Sequence, residues 1–285
     1  MSARPRPAVI TLLTDFGHRD AYVGIMKGVI LGINPEARLV DLSHEVPPQD
    51  IVFGALVLQS AWRYFPPGTI HLAVVDPGVG SARRGLAAGV AGHFLVGPDN
   101  GIFSLILAAS PPETVVSLEN PRYFLPEVSA TFHGRDMFAP VAAHLSLGMP
   151  LTDFGPVLGE PVCLDLPAPR FTEAAVYGRI LTWDHFGNLI TNIPYRELQA
   201  WLRGQSAQVW VADRPIPHWV RTYSEVPPGE LLALEGSHGY LEIAVREGNA
   251  AVQVGCQAGT PVRIVGQPAA AAHQDNQSYR KKPIL

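Results

Sequence analysis

Apolar positions in the first half of the chain recur in two alternating rhythms. Six short runs are predicted as strands: Ala8 to Leu13, Arg38 to Leu42, Thr69 to Val75, Leu86 to Val90, His93 to Val96 and Thr114 to Leu118. Between them lie segments with apolar residues at helical spacing. One follows Asp20 as its N-cap, carries Val23, Met26, Ile30 and Ile33 in phase, and stops at Asn34-Pro35. Others run from Gln49 to Phe65, closed by Pro66-Pro67-Gly68, from Ile102 to Ala109, and from Asp136 to Leu147. Thr69 to Val75 is almost wholly apolar, as suits a strand covered on both faces. This alternation predicts an α/β domain over 1–150, with a mostly parallel sheet sandwiched by helices.

The rhythm then changes. Residues 151–172 are rich in Pro and Gly and read as a linker. From 173 to 266 short strands dominate: Ala174 to Thr182, Ala207 to Val211, Leu231 to Leu234, Tyr240 to Val245, Ala251 to Val254 and Val262 to Val265. One short helix is expected near Tyr195 to Leu202. Gly, Pro and Asn turns separate these pieces, which predicts an antiparallel β-barrel domain. Residues 267–285, with an alanine run and polar content, read as a disordered tail.

Composition narrows the classes. The chain is 47% hydrophobic and 16% charged over 285 residues, enough apolar material for a sizeable core. A net charge of -4 supplies no basic field for nucleic acid or anionic lipid. Two cysteines, Cys163 and Cys256, make neither a disulfide scaffold nor a zinc framework. No apolar stretch is long enough for a membrane helix, and the short run after the first arginines is no secretory signal. The expectation is a cytoplasmic protein that binds neither nucleic acid nor membrane. No HExxH, P-loop or Gly-x-Ser-x-Gly elbow occurs, so no metal is expected.

Four loops carry candidate chemistry. Thr14-Asp15-Phe16-Gly17 leaves the first strand, where open α/β sheets bind ligands, and Asp15 suits a ligand diol. It also suits a plain turn cap. The Asp15-Phe16-Gly17 match to a kinase motif stands alone, without the other kinase segments, and is rejected. Asp76-Pro77-Gly78-Val79-Gly80 leaves the third strand, with Arg83 and Arg84 just beyond; the tight loop lets backbone approach a ligand. Thr131-Phe132-His133-Gly134-Arg135-Asp136 precedes a helix and offers an imidazole, or simply a helix cap. Trp183-Asp184-His185-Phe186-Gly187-Asn188 offers polar groups and a stacking face, or merely an Asn-rich hairpin. A fifth segment, Glu235 to Glu242, has the look of a strand-connecting turn.

Together, and in this order, these motifs resemble the S-adenosyl-L-methionine hydroxide adenosyltransferases, relatives of the fluorinase and chlorinase. The resemblance runs from Ala8 to Val265. It implies an N-terminal α/β domain, a C-terminal β-barrel, and a homotrimer with its active site at the subunit interface. It makes Asp76, Arg83 and His133 the water-activating set, choosing Arg83 over Arg84 by spacing. It assigns Asp15, with Phe16, to the ribose hydroxyls, and Phe186 and Asn188 to adenine. Asp184 and Ser237 fall at the methionine end, while Gly134, His238 and the backbone around Ala251 complete the binding residues. The fluorinase has tyrosine in place of Asp76, serine in place of Gly134 and tryptophan in place of Gln49. These departures point away from halide chemistry. His238 stands where the halogenating branch has arginine, which leaves the methionine-carboxylate contact open.

The implied reaction is attack of water at ribose C5′, giving adenosine and L-methionine. The substrate is S-adenosyl-L-methionine itself, and no cofactor is expected. A thioether leaves a sulfonium without needing an acid, and an aspartate is a weak base. Asp76 is therefore expected to orient the water and take its proton late, with His133 as a relay. Two alternatives remain: halide-dependent, chlorinase-like cleavage of the same substrate, and a non-catalytic adenosyl-ligand-binding protein.

Overall fold

The computed structural model describes residues 8–266, so the expected tail lies outside the described residues. They fall into two compact units, the first ending at Leu166 and the second beginning at Pro167.

The first unit is built on six strands: β1 (Val9–Thr14), β2 (Arg38–Ser43), β3 (Ile70–Val74), β4 (Gly85–Val90), β5 (His93–Pro98) and β6 (Thr114–Ser117). Their order is β2-β1-β3-β5-β4-β6. The pairs β1/β2, β1/β3 and β3/β5 are parallel. β4 runs antiparallel to both neighbours. Its turn into β5 explains why: Ala91 (φ 48°) and Gly92 (φ 78°) both adopt positive φ, the two-residue turn whose twist suits a hairpin.

Four helices cover the sheet: α1 (Tyr22–Ile33), α2 (Ile51–Ala61), α3 (Ser104–Ala109) and α4 (Ala139–Ser146). Met26 and Ile30 of α1 and Val141, Ala142 and Leu145 of α4 pack with Ile10, Leu12, Ile70, Leu72 and Val74. Leu58 of α2 and Ile106 of α3 pack on the opposite face, with Leu13, Ala73, Leu86 and Ala88. The period-2 alternation along β3 feeds both cores. Asp50 caps α2, its Oδ1 accepting the Phe53 N–H at 2.9 Å. α1 departs from expectation: Ala21 holds the N-cap position with no side-chain bond, so Asp20 does not cap it. Residues 151–166 belong to this unit; Phe154 is fully buried in its core, and Val157 bridges Val116.

The second unit contains β7 (Arg170–Phe171), β8 (Ala175–Trp183), β9 (Leu189–Pro194), α5 (Tyr195–Leu202), β10 (Ala207–Val211), β11 (Arg214–Ile216), β12 (His218–Trp219), β13 (Leu231–Glu235), β14 (Tyr240–Val245), α6 (Ala250–Val254) and β15 (Pro261–Gly266). The strands follow the order β11-β10-β15-β8-β9-β14-β13-β12, mostly antiparallel, and curl into a nearly closed barrel. Its two end strands are separated only by Pro217, which brings the sheet back on itself. Val176, Ile180, Leu189, Ile193, Leu241, Ile243 and Ile264 fill the interior.

One expected strand is a helix. Ala251 to Val254 lies in α6, where the Asn249 side chain accepts the Val252 N–H at 2.8 Å and Gly255 ends the turn at φ 66°. Four residues of mixed polarity fit either period; the Asn cap and the glycine stop decide. β9 is hidden in the Asn-rich segment. Its buried polar groups are satisfied: Thr191 Oγ1 donates to the Leu241 carbonyl at 2.8 Å, and Asn192 Oδ1 accepts the Arg179 N–H at 2.8 Å.

Candidate functional site

Asp76 follows the carboxyl end of β3, where the strand gives way to Pro77-Gly78. The loop doubles back so that Arg83 grips both carboxylate oxygens: Nε donates to Oδ1 at 2.7 Å, and Nη2 donates to Oδ2. This is the forked geometry that only arginine supplies. Arg84 points elsewhere and pairs with Asp99 at 2.7 Å. The Arg83 guanidinium also lies over the Phe138 ring, 5.2 Å from its centroid. Both side chains of the pair are sheltered, 10% and 5% exposed.

The same Nη2 reaches Nδ1 of His133 at 2.8 Å. Arginine only donates, so Nδ1 accepts and the imidazole proton sits on Nε2. Burial, then the charge of Arg83, hold His133 below its ordinary value, with Asp76 and Asp136 opposing. The ring is therefore neutral at pH 7. It stands at the head of a π-helical turn, Gly134–Phe138, ahead of α4. Such turns recur at functional sites, and here the cause is partly Pro140. Pro140 has no N–H for the Asp136 carbonyl four residues back, and Leu125 N–H takes it at 2.9 Å. Asp136 is wholly buried, accepting from Ser129 N–H at 2.8 Å and pairing with Arg135. Gly134 has no room to spare, since a Cβ there would meet Met26 Sδ at 3.3 Å.

The Asp76 loop and the segment before His133 touch at one point. Gly80 (φ +78°) lies so close to Ala130 that an added Cβ would fall 2.3 Å from its carbonyl oxygen. Only glycine satisfies both the conformation and the approach.

Asp15 follows β1, and its Oδ2 accepts the Gln49 N–H at 2.8 Å. Gln49 itself has φ 68°. His44 fixes this loop from behind: its carbonyl accepts the Gly17 N–H at 2.8 Å, and its Nδ1 lies 2.8 Å from Thr14 Oγ1. Phe16 is packed edge-on against both Tyr22 and Phe132, at 5.8 Å from each, while Tyr22 and Phe132 are 5.3 Å apart. Asp15 keeps its other oxygen without a donor from the described residues.

The second unit has its own cavity of about 610 Å³, lined by Asp184, Phe186, Asn188, Tyr223, Ser237 and Glu242, among others. Asp184 is committed to its own loop. Its Oδ1 accepts from the N–H groups of Phe186 and Asn188, each at 2.9 Å, and its Oδ2 from Asn188 Nδ2 at 3.0 Å. With Nδ2 oriented toward Asp184, Asn188 keeps its Oδ1 as an acceptor without a donor among the described residues. Gly187 (φ +82°) packs so tightly on Asn249 that a Cβ would lie 2.2 Å from its side chain. Phe186 is 70% exposed, a large aromatic left open. Ala251 is tied to this loop, its N–H donating to the Gly187 carbonyl at 3.0 Å, so that amide is not free for a ligand. Ser237 is exposed at the cavity, whereas His238 is half-buried with Nδ1 unpartnered. Burial lowers the His238 value, against Asp184, so it is neutral at pH 7.

The structure thus joins Asp76, Arg83 and His133 directly, and gathers Asp184, Phe186, Asn188 and Ser237 on one cavity. Sequence reasoning misses Phe132, Tyr22, Tyr223 and Glu242. A glutamate within the apolar run Tyr-Leu-Glu-Ile-Ala-Val is the available signal for the last. Among the described residues, no group of three His, Cys, Asp or Glu is placed to hold a metal ion. No described helix is long and apolar enough to cross a membrane.

Comparison with known proteins adds a second line. Residues 10–155 match the SAM hydroxide adenosyltransferase N-terminal domain, and residues 178–263 match the corresponding C-terminal domain. A curated relative from Thermus thermophilus, named (R)-S-adenosyl-L-methionine hydrolase, is 43% identical, covering 90% of this chain and 99% of its own. A relative of the same name from Salinispora arenicola is 40% identical over 90% of this chain and 97% of its own. A fluorinase from Actinoplanes is more distant, at 28% over 93% and 99%. Among solved structures, an uncharacterized conserved protein from Thermotoga maritima superposes with a TM-score of 0.84 at 36% identity. That match covers 90% of this chain and 99% of the other.

Proposed function

The chain belongs to the SAM hydroxide adenosyltransferase family, and we propose that it hydrolyses S-adenosyl-L-methionine to adenosine and L-methionine. The observation that carries this reading is the Asp76–Arg83–His133 junction, a carboxylate and a neutral imidazole held by one guanidinium. It is supported by relatives at 40% and 43% identity that bear the hydrolase name.

In the proposed step, a water oxygen forms a bond to ribose C5′ while the C5′–S bond breaks. Sulfur keeps the electron pair and leaves as a neutral thioether, so no acid is needed. The water loses one proton. His133 has its Nδ1 occupied and its proton on Nε2, so it donates to the water oxygen and orients a lone pair. That arrangement makes Asp76, rather than a His133 relay, the proton acceptor. Arg83 keeps both in register. Asp15 accepts from the ribose hydroxyls, with Phe16 beside it and Gly134 giving close backbone approach. Phe186 stacks on adenine, Asn188 Oδ1 reads its edge, and Ser237 and His238 lie toward the methionine end.

No cofactor is invoked. A homotrimer with the active site at a subunit interface completes the reading; the open aromatic face of Phe186 is consistent with a ligand or neighbour covering it. A cytoplasmic setting fits a substrate made inside cells.

Incubation with S-adenosyl-L-methionine in ¹⁸O-water, with and without chloride, tests the proposal. One label in the 5′-hydroxyl of adenosine is the expected result. A 5′-chlorinated nucleoside would make the enzyme a halogenase, which the Asp76 carboxylate opposes by repelling halide. Intact substrate would make the chain a binding protein.

A further inference from the structure

The loop from Asp76 to Arg83 leaves β3 and returns along β4, and β5 lies between those two strands. Asp99 and Asn100, which continue β5 past its end, therefore reach both stems of the loop. On the β3 side the parallel register with β5 closes at Leu72 and Val96. Val75, immediately before Asp76, lies beyond that last rung and is fully buried. Asn100 supplies the donor there, its Nδ2 reaching the Val75 carbonyl at 2.8 Å. Its Oδ1 accepts the Ile102 N–H at 3.3 Å, so one orientation of the carboxamide satisfies both ends. Without Asn100 a buried carbonyl would lose its partner.

On the β4 side the Asp99 N–H donates to the Arg84 carbonyl at 3.0 Å. The Asp99 carboxylate is 1% exposed; its Oδ2 accepts from Arg84 Nε at 3.0 Å and lies 2.7 Å from Nη2. Its Oδ1 accepts the Val162 N–H at 2.7 Å. The Arg84 carbonyl belongs to the site as well, because Arg83 Nη1 donates to it at 3.3 Å. With Nε and Nη2 on Asp76, and Nη2 also on His133, each nitrogen of that guanidinium has an acceptor. Asp99 fixes one of those acceptors, and Asn100 fixes the peptide from which Asp76 projects.

Building on the function proposed above, we infer that Asp99 and Asn100 are positioning residues for the attack on C5′, pinning both stems of the Asp76 loop and so setting how Asp76 and Arg83 meet. The bonds inside the loop are local turns, Val79 N–H to the Asp76 carbonyl and Ser81 N–H to the Gly78 carbonyl. They shape its tip and leave the spacing of the stems to the clamp. Because the clamp acts through Asp76 and Arg83, its loss falls on the chemical step and spares ligand affinity.

Single-turnover adenosine release and calorimetric affinity for S-adenosyl-L-methionine, measured on the full chain in two backgrounds, test this. In the wild type, Asn100→Ala should slow the chemical step roughly 10- to 100-fold, the scale of a displacement of about 1 Å, with Kd within about 3-fold. In Asp76→Asn, whose carboxylate is already gone, the same substitution should slow the residual reaction by no more than about 2-fold. A residue that only supports the fold would cost the same factor in both. Arg84→Gln cuts the Asp99 carboxylate arm alone, at a side chain that is 43% exposed. It should give the same pattern with a factor of about 5, and it decides the matter if Asn100→Ala does not fold. Equal factors in the two backgrounds, full rates in the single variants, or losses carried by Kd overturn the inference while the hydrolysis reading stands. If the wild type releases no adenosine, both fall.

Discussion

Arg83 donates a hydrogen to Nδ1 of His133 at 2.8 Å, and that single bond decides which nitrogen of the imidazole bears the proton. The same guanidinium holds Asp76 by two bonds. Lysine carries the charge but has neither the fork nor the reach to serve both partners. Arg83→Lys should lower kcat about 100-fold while leaving KM within a few-fold, measured by adenosine release. A variant with near-normal kcat would remove Arg83 from the catalytic set.

The pH profile should report the neutral imidazole. His133 lies below its ordinary value of 6.5, from burial and Arg83, against Asp76 and Asp136. Protonation of Nδ1 breaks the Arg83 bond, so kcat should hold steady through neutrality and fall only in acid, as pH drops through the depressed value. An acid limb centred above 6.5 would contradict the assigned tautomer.

Stability has its own acid dependence, set at a different histidine. His71 is fully buried on β3, with Nδ1 2.8 Å from Thr11 Oγ1 and Nε2 3.3 Å from His93 Nδ1. Burial, then His93, push it from 6.5 down to about 3. Between those values the unfolded chain binds a proton that the folded chain refuses. The contribution is fully present above pH 6.5 and is lost as pH falls toward 3, by up to about 1.4 kcal/mol per pH unit. Urea midpoints at about pH 7 and about pH 4.5, on either side of the free-histidine value, should differ clearly less in His71→Gln than in wild type.

Two glycines with similar backbone angles should separate strain from collision. Gly80 (φ +78°) faces the Ala130 oxygen, whereas an added Cβ on Gly204 (φ +82°) would meet nothing within 4 Å. Gly204→Ala should cost about 1 kcal/mol, the conformational term alone. Gly80→Ala should cost roughly 2–4 kcal/mol and also depress kcat, because the Asp76 loop must shift. Thermal melts and turnover on the two variants check this.

Phe186 should matter for binding and hardly at all for folding. At 70% exposure its truncation to alanine removes little packing, so stability should stay within about 0.5 kcal/mol. Loss of one stacked base should weaken ligand affinity about 10-fold. Titration calorimetry beside a melt distinguishes the two effects.

Local features of the fold are legible in the amino-acid order alone. Six strands of the first unit, and α5, β10 and β14 of the second, follow from runs whose period and turn residues agree. Where period and turn signals disagree, the pattern misleads: α6 looks like a strand, and β9 like part of a hairpin loop. Asp76 and His133 stand out as residues at strand and helix ends, each with an ordinary explanation. They are joined through Arg83, which lies 50 positions before His133, and that bond leaves no mark on either local pattern. Glu242 falls within a predicted strand, and its partner Tyr223, on a separate segment 19 positions away, leaves no mark on that pattern.

The bond between Asn188 and Asp184 reaches further than the loop it orders. Because Nδ2 donates to Asp184 at 3.0 Å, a flipped carboxamide would set Oδ1 against that carboxylate, and the orientation is held. On the proposed pose, the exocyclic amine of an adenine meets a complementary acceptor there, whereas a 6-oxopurine sets its carbonyl against that oxygen, so an inosyl sulfonium should bind more weakly than S-adenosyl-L-methionine in a calorimetric titration.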